Sequence, residues 1–141
     1  MENKNKRITA HLIPYKIIDG HFFIYLQKRS NDAEREPGWF TIFGGGVEGE
    51  ESPETAMLRE IKEELNFIPT SYSFLGKYSD NYSISHYYIS EVYNDFEYEI
   101  KIGEGEYGKF FSEEEIENEH KLTENNKQII KDLISHISMG K

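Results

Sequence analysis

The stretch LREIKEELNF, residues 58–67, puts Glu60, Glu63 and Glu64 within little more than one helical turn. At about 100° per residue they gather on the side away from Met57, Ile61 and Leu65, so three carboxylates converge at the surface of a helix whose back is buried. Like charges three and four residues apart cost roughly 0.2 to 0.5 kcal/mol per pair, which a solvated face can carry with Arg59 and Lys62 as partial counterions. The flanks argue for more than a solvated face. A glycine-rich turn, Gly44 to Gly46, a glutamate at the start of the helix and an arginine just before the acidic cluster form a constellation rather than a charge run. Several glutamates on one rigid face, beside a turn with free carbonyls, make half a cage for Mg²⁺, which takes oxygen ligands in near-octahedral geometry and keeps some waters.

Such a helix needs a scaffold. RITAHLIPYKII (Arg7 to Ile18) and HFFIYLQKR (His21 to Arg29) are β-rich and joined by Asp19-Gly20, a pair that favours a type I′ hairpin turn. Pro14 implies an edge, a bulge or a break in the first strand. WFTIF (Trp39 to Phe43) reads as a short buried strand, and the three glycines after it as a place where the backbone turns or approaches something closely. Ser52 as N-cap and Pro53 at the first helical position start the carboxylate helix. Strands are expected around Ser73 to Tyr78, Ile84 to Tyr93, Phe96 to Ile102 and Lys109 to Phe111. Ser112 with Glu115 makes a capping box, and Thr123 caps a last helix with an Ile129, Ile130, Leu133, Ile134, Ile137 stripe. The order points to a mixed sheet covered by helices.

Composition narrows the chemistry. With 141 residues, the chain is expected to form a single domain over residues 1–141, and the absence of cysteine removes disulfides and thiolate metal ligands. A formal charge of -10 disfavours non-specific binding to nucleic-acid polymers. No apolar run is long enough to cross a bilayer, and a cytoplasmic protein is the expectation. No histidine pair has zinc-site spacing. A phosphorylated substrate would require cations, and carboxylates recruiting a hard divalent ion would supply them.

Residues 45–67, GGVEGEESPETAMLREIKEELNF, resemble the Nudix box of the Nudix hydrolase family: a glycine, five residues, a glutamate, seven residues, then Arg-Glu-apolar-x-Glu-Glu-x-Gly-apolar. Gly45, Glu51, Arg59, Glu60, Ile61, Glu63, Glu64 and Phe67 match. Asn66 stands where the family has glycine, and Phe43 where a proline often precedes the glycines; asparagine is the usual second choice for the left-handed residue that ends a helix.

The resemblance implies an α/β/α sandwich with a mixed β-sheet flanked by helices. It implies that Glu60, Glu63 and Glu64 ligate a divalent metal, or for one of them activate water, with a backbone carbonyl of Gly44 or Gly45 as a further ligand. Arg59 and Glu51 would hold the carboxylates in place. Glu104, with Glu106 in reserve, matches a later family loop whose glutamate assists metal binding or acts as base, and Arg29 matches a position that reaches the substrate phosphate. The implied reaction is Mg²⁺-dependent hydrolysis, with Mn²⁺ as substitute, of the diphosphate linkage in a nucleoside diphosphate joined to another group, nucleoside triphosphates and nucleotide sugars included. A homodimer is the family expectation. Trp39, Tyr82, Tyr87 and Tyr88 are aromatics that could stack a base, and His86 could touch substrate, although strand aromatics and histidines more often pack a sheet. The alternative is a nucleotide- or metabolite-sensing module of the same fold without chemistry; a same-fold isomerase acting on an isoprenoid diphosphate would want a catalytic cysteine, which the chain lacks.

Overall fold

The computed structural model describes residues 6–101 and 107–140. Strand β1 (Arg7–Ile18) is the spine of the sheet, and β2 (His21–Lys28) returns beside it after a turn in which Asp19 and Gly20 both have positive φ, 52° and 80°, as a type I′ turn requires. Two short strands, β3 (Phe40–Thr41) and β4 (Phe43–Gly46), pair with β2 and β1. The expected strand Trp39 to Phe43 is thus divided at Ile42, and its two halves serve different neighbours. Helix α1 (Pro53–Leu65) follows, then β5 (Ser73–Ser79), β6 (Ser83–Glu91), the single turn α2 (Phe96–Glu99), β7 (Tyr107–Ser112), α3 (Glu113–Asn118) and α4 (Glu124–Met139). β1 runs parallel to β6 and antiparallel to β2 and β4, so the sheet is mixed.

Pro14 does not lie on an edge. Val92 N–H donates to Tyr15 O, so Tyr15 faces β6 and Pro14, one residue before, faces the other side, where the N–H is missing. That side changes partner there, from β4 (last pair Leu12 with Phe43) to β2 (first pair Tyr15 with Ile24), and the absent donor falls in the gap.

Alternation along the strands builds two cores. Ala10, Leu12 and Tyr25 pack with Met57, Ile61 and Leu65 of α1; Ile13, Tyr15, Ile24 and Leu26 pack with Ile129, Ile130 and Leu133 of α4. Helices thus cover both faces of the sheet, the α/β/α arrangement that the resemblance implies. Phe96–Glu99 is helical, not extended. Phe96 is the single buried anchor, edge-on to Tyr25 and Phe67 at 5.1 Å each, while Tyr98 is exposed, so the two-residue alternation a strand needs never forms.

Candidate functional site

Helix α1 is held at both ends. Ser52 Oγ accepts from Thr55 N–H at 3.1 Å, and Asn66, at φ 51° and ψ 44°, takes the left-handed conformation for which the family uses glycine; its N–H donates to Lys62 O. Ala56, Met57, Ile61 and Leu65 are buried, which sets the rotation of the helix and lays its Glu60 and Glu64 side toward the glycines of β4. Gly45 is required by what lies above it: a Cβ there would stand 2.5 to 2.6 Å from the carboxyl atoms of Glu60. Gly44, at φ 147°, has a backbone conformation L side chains rarely adopt, and a Cβ would meet Ala10 O at 2.4 Å.

Arg59 organises the polar side. Its Nε and Nη2 donate to Glu51 Oε2 and Oε1 at 2.7 and 2.9 Å, Nη1 donates to Glu60 Oε2 at 3.0 Å, and Nη2 also donates to Gly46 O at 3.0 Å. Glu63 Oε2 lies 3.6 Å from Nη1. Glu51 Oε1 takes a further bond from Glu48 N–H, and these donors, Arg59 first, bring the Glu51 carboxyl down to about 2. Arg59 is correspondingly raised, by the Glu51 bond above all. A two-point arginine fork supplies orientation as well as charge.

The three carboxylates do not share one environment. Glu63 is half exposed, its side chain 52% accessible, and Glu60 is at 16%. Glu64 is 6% exposed, and Gly44 N–H donates to its Oε1 at 3.0 Å. The surface position read from the helical period is therefore wrong for Glu64: β4 lies against that side of the helix and covers it. A buried carboxylate needs such a donor, because desolvation without one is costly.

Glu60, Glu63 and Glu64 and the carbonyls of Gly44 and Gly45 offer only hard oxygen donors, the set suited to a hard divalent cation. Among the described residues no three histidine, aspartate or glutamate side chains meet around one point. Arg59 draws Glu60 toward itself, and Gly44 N–H orients Glu64, so a shared ion would require these side chains to turn on a helix that is itself held. Glu104 and Glu106 lie outside the described residues.

Beside this helix opens a cleft of about 570 Å³, whose lining includes four of the residues singled out from the sequence, Arg29, Gly44, Gly45 and Glu64. Glu60, Glu63 and Arg59 are not in its lining. Arg29 Nε donates to Arg35 O at 2.7 Å, which sets the plane of the guanidinium. Arg7, Arg35 and His11 also line the cleft and were missed by sequence reasoning. The signal existed for two of them: Arg7, Thr9 and His11 alternate along β1, a polar half-face ahead of the apolar Ile13 and Tyr15. The His11 ring stacks on Tyr87 at 4.5 Å, and burial holds its pKa down to about 4. Trp39, Tyr82, Tyr87, Tyr88 and His86 do not line the cleft; Tyr87 is buried beneath His11, Tyr82 stands in solvent, and His86 Nδ1 is buried without a hydrogen-bond partner. No helix among the described residues is long and apolar enough to cross a membrane.

The geometry can be set beside known proteins. The ADP-ribose pyrophosphatase of Methanocaldococcus jannaschii is 35% identical over 138 residues, covering 90% of this chain and 77% of that one. The fold is similar to the NUDIX domain of Shewanella oneidensis NrtR complexed with ADP ribose (TM-score 0.77, 19% identity, 95% and 90% of the two chains). It is also similar to a Caenorhabditis elegans Ap4A hydrolase binary complex (TM-score 0.74, 17% identity, 94% and 98%). The NUDIX domain model matches residues 13–133, a span holding the glycines of β4, the Arg59 fork and the carboxylates of α1, and the chain belongs to the Nudix family of hydrolases.

Proposed function

We propose that this protein hydrolyses, with a divalent metal, the diphosphate linkage of a nucleoside diphosphate joined to another group, and that ADP-ribose is the substrate to expect first. The observation that carries the reading is the cleft itself, which Arg7, Arg29 and Arg35 line together with Glu64, Gly44 and Gly45. In a chain of formal charge -10, such a local gathering of arginines suits a polyanion that must sit beside carboxylates. The pyrophosphatase relative and the ADP-ribose complex of a domain with the same fold support the choice of substrate.

In this reading Arg29 and Arg7 take the phosphate oxygens, with Arg29 preset by its bond to Arg35 O. Glu60, Glu63 and Glu64, with a carbonyl of Gly44 or Gly45 and with Glu104, would hold Mg²⁺ or Mn²⁺. When bound, such an ion supplies charge neutralisation at the phosphate and a more acidic water. Arg59 and Glu51 hold Glu60 over Gly45, next to the cleft. A water oxygen bonds to one phosphorus, the bridging P–O bond breaks, and the water proton passes to a glutamate carboxylate.

The test is product analysis for ADP-ribose, nucleotide sugars, dinucleoside polyphosphates and nucleoside triphosphates with Mg²⁺ or Mn²⁺. AMP and ribose 5-phosphate from ADP-ribose, without inorganic phosphate, is the expected result. No turnover of any of these, with stabilisation by a nucleotide intact, would overturn it in favour of a sensing module.

A further inference from the structure

His11 takes no part in the reading above, yet it is bonded to the peptide that orients Glu64. His11 Nδ1 lies 3.3 Å from Phe43 O, and its Nε2 lies 2.9 Å from Thr9 Oγ1, which in turn lies 2.8 Å from Ser85 Oγ. A carbonyl only accepts, so Nδ1 must carry the ring proton, and Nε2 of the neutral ring is left to accept from the Thr9 hydroxyl. Phe43 C=O and Gly44 N–H belong to one planar peptide. The carbonyl end of that peptide is held by His11, and the N–H end donates to Glu64 Oε1 at 3.0 Å.

The packing leaves little play in this bridge. A Cβ on Gly44 would come within 2.3 Å of His11 Nδ1, so ring and backbone are in direct contact. Tyr87 stacks on the ring with planes 12° apart, and Thr9 and Ser85 are partners across the parallel β1 and β6 pair. The ring can neither tilt nor flip without breaking a bond at one nitrogen.

We propose that His11 is a positioning residue that sets the Glu64 carboxylate, and the Gly44 backbone beside it, through the Phe43 to Gly44 peptide. It touches neither reacting atom, and the inference rests on the reading of Glu64 as a divalent-metal ligand. Phe43, paired with Leu12, ends the ladder between β4 and β1, so loss of the Nδ1 donor leaves this peptide held on β1 by the end of the ladder alone and loosens the setting of Glu64 Oε1; outer-shell partners of metal ligands typically change affinity or activity by about 10- to 100-fold.

Two substitutions separate this from a packing role. In His11→Asn the side-chain amide stands near the place of Nδ1 and can still donate to Phe43 O, whereas in His11→Gln it stands near the place of Nε2 and cannot. Both lose the stack on Tyr87. The midpoint of the Mn²⁺-induced rise in Tm and the kcat and KM for ADP-ribose are measured on each. The expected result is a Mn²⁺ midpoint weakened about tenfold or more and a lowered kcat in His11→Gln, with KM little changed, and His11→Asn within about threefold of wild type. Equal midpoints and equal kcat in the two variants would overturn the proposal. A wild type that shows no Mn²⁺ response would instead remove the metal reading beneath it. Should neither variant fold, ¹⁵N NMR of the unsubstituted protein decides: an Nδ1–H tautomer of His11 supports the bridge, and an Nε2–H tautomer breaks it.

Discussion

Glu51 and Arg59 meet in a two-point fork, at 2.7 and 2.9 Å, that ties the loop before α1 to the second turn of the helix. The same guanidinium reaches Glu60 at 3.0 Å, so the loop, the helix and one candidate metal ligand are positioned by a single cation. The Glu51 carboxyl lies at about 2 in the folded protein against an ordinary 4.5. A depressed folded value means that its contribution to stability is full above about 4.5 and is lost as pH falls toward 2. Urea midpoints of the wild type and Glu51→Gln are therefore expected to differ at neutral pH and to converge across that window; a constant difference down to pH 2 would count against the fork as a stabilising contact.

Gly45→Ala and Gly44→Ala are expected to fail in different ways. At Gly45 the new methyl meets the end of a flexible glutamate side chain, so the chain should fold with Glu60 displaced, and a misplacement of about 1 Å can cost roughly 10²-fold in rate. At Gly44 the new methyl meets backbone, at a positive φ, and stability itself should fall. Thermal melting and turnover of the two variants check this: normal activity in Gly45→Ala would mean that Glu60 does not need its present place.

Arg29→Ala is expected to raise KM for ADP-ribose by roughly 10- to 100-fold, the effect of removing charge-assisted hydrogen bonds of about 1.5 to 3 kcal/mol, with a smaller change in kcat. Arg29→Lys should restore only part, since an ammonium cannot present the guanidinium fork. Steady-state kinetics at low and moderate salt distinguishes this from a strand-end ion pair, which would leave KM unchanged.

The frame of the site was legible because local rules and tertiary packing agree there. The Asp19-Gly20 turn, the Ser52 and Thr123 caps and the Ser112 with Glu115 capping box all stand where residue type puts them. Periodicity also gave the buried face of α1. It could not say that β4 would lie across the other side and bury Glu64, because that contact joins segments 20 residues apart. His11 and Arg7 escaped notice for a similar reason: a polar residue on a central strand acquires meaning only when the sheet sets it beside a glycine of β4, Gly44 for His11 and Gly46 for Arg7. Phe96 misled because an aromatic in a run of alternating residues reads as strand, whereas here one buried ring anchors a single helical turn.

The central claim is that the α1 carboxylates hold a divalent ion for hydrolysis of a diphosphate. Glu64→Gln tests it most directly, because glutamine keeps an oxygen to accept from Gly44 N–H while removing the charge. The measurement is the rate of ADP-ribose hydrolysis across a Mg²⁺ titration for wild type and Glu64→Gln, with Tm recorded at each concentration. The expected result is a Tm and a rate in wild type that both rise with Mg²⁺, and a folded variant slower by about 10²-fold or more with a weakened Mg²⁺ response. A folded variant with wild-type turnover and an unchanged Mg²⁺ response would contradict the account.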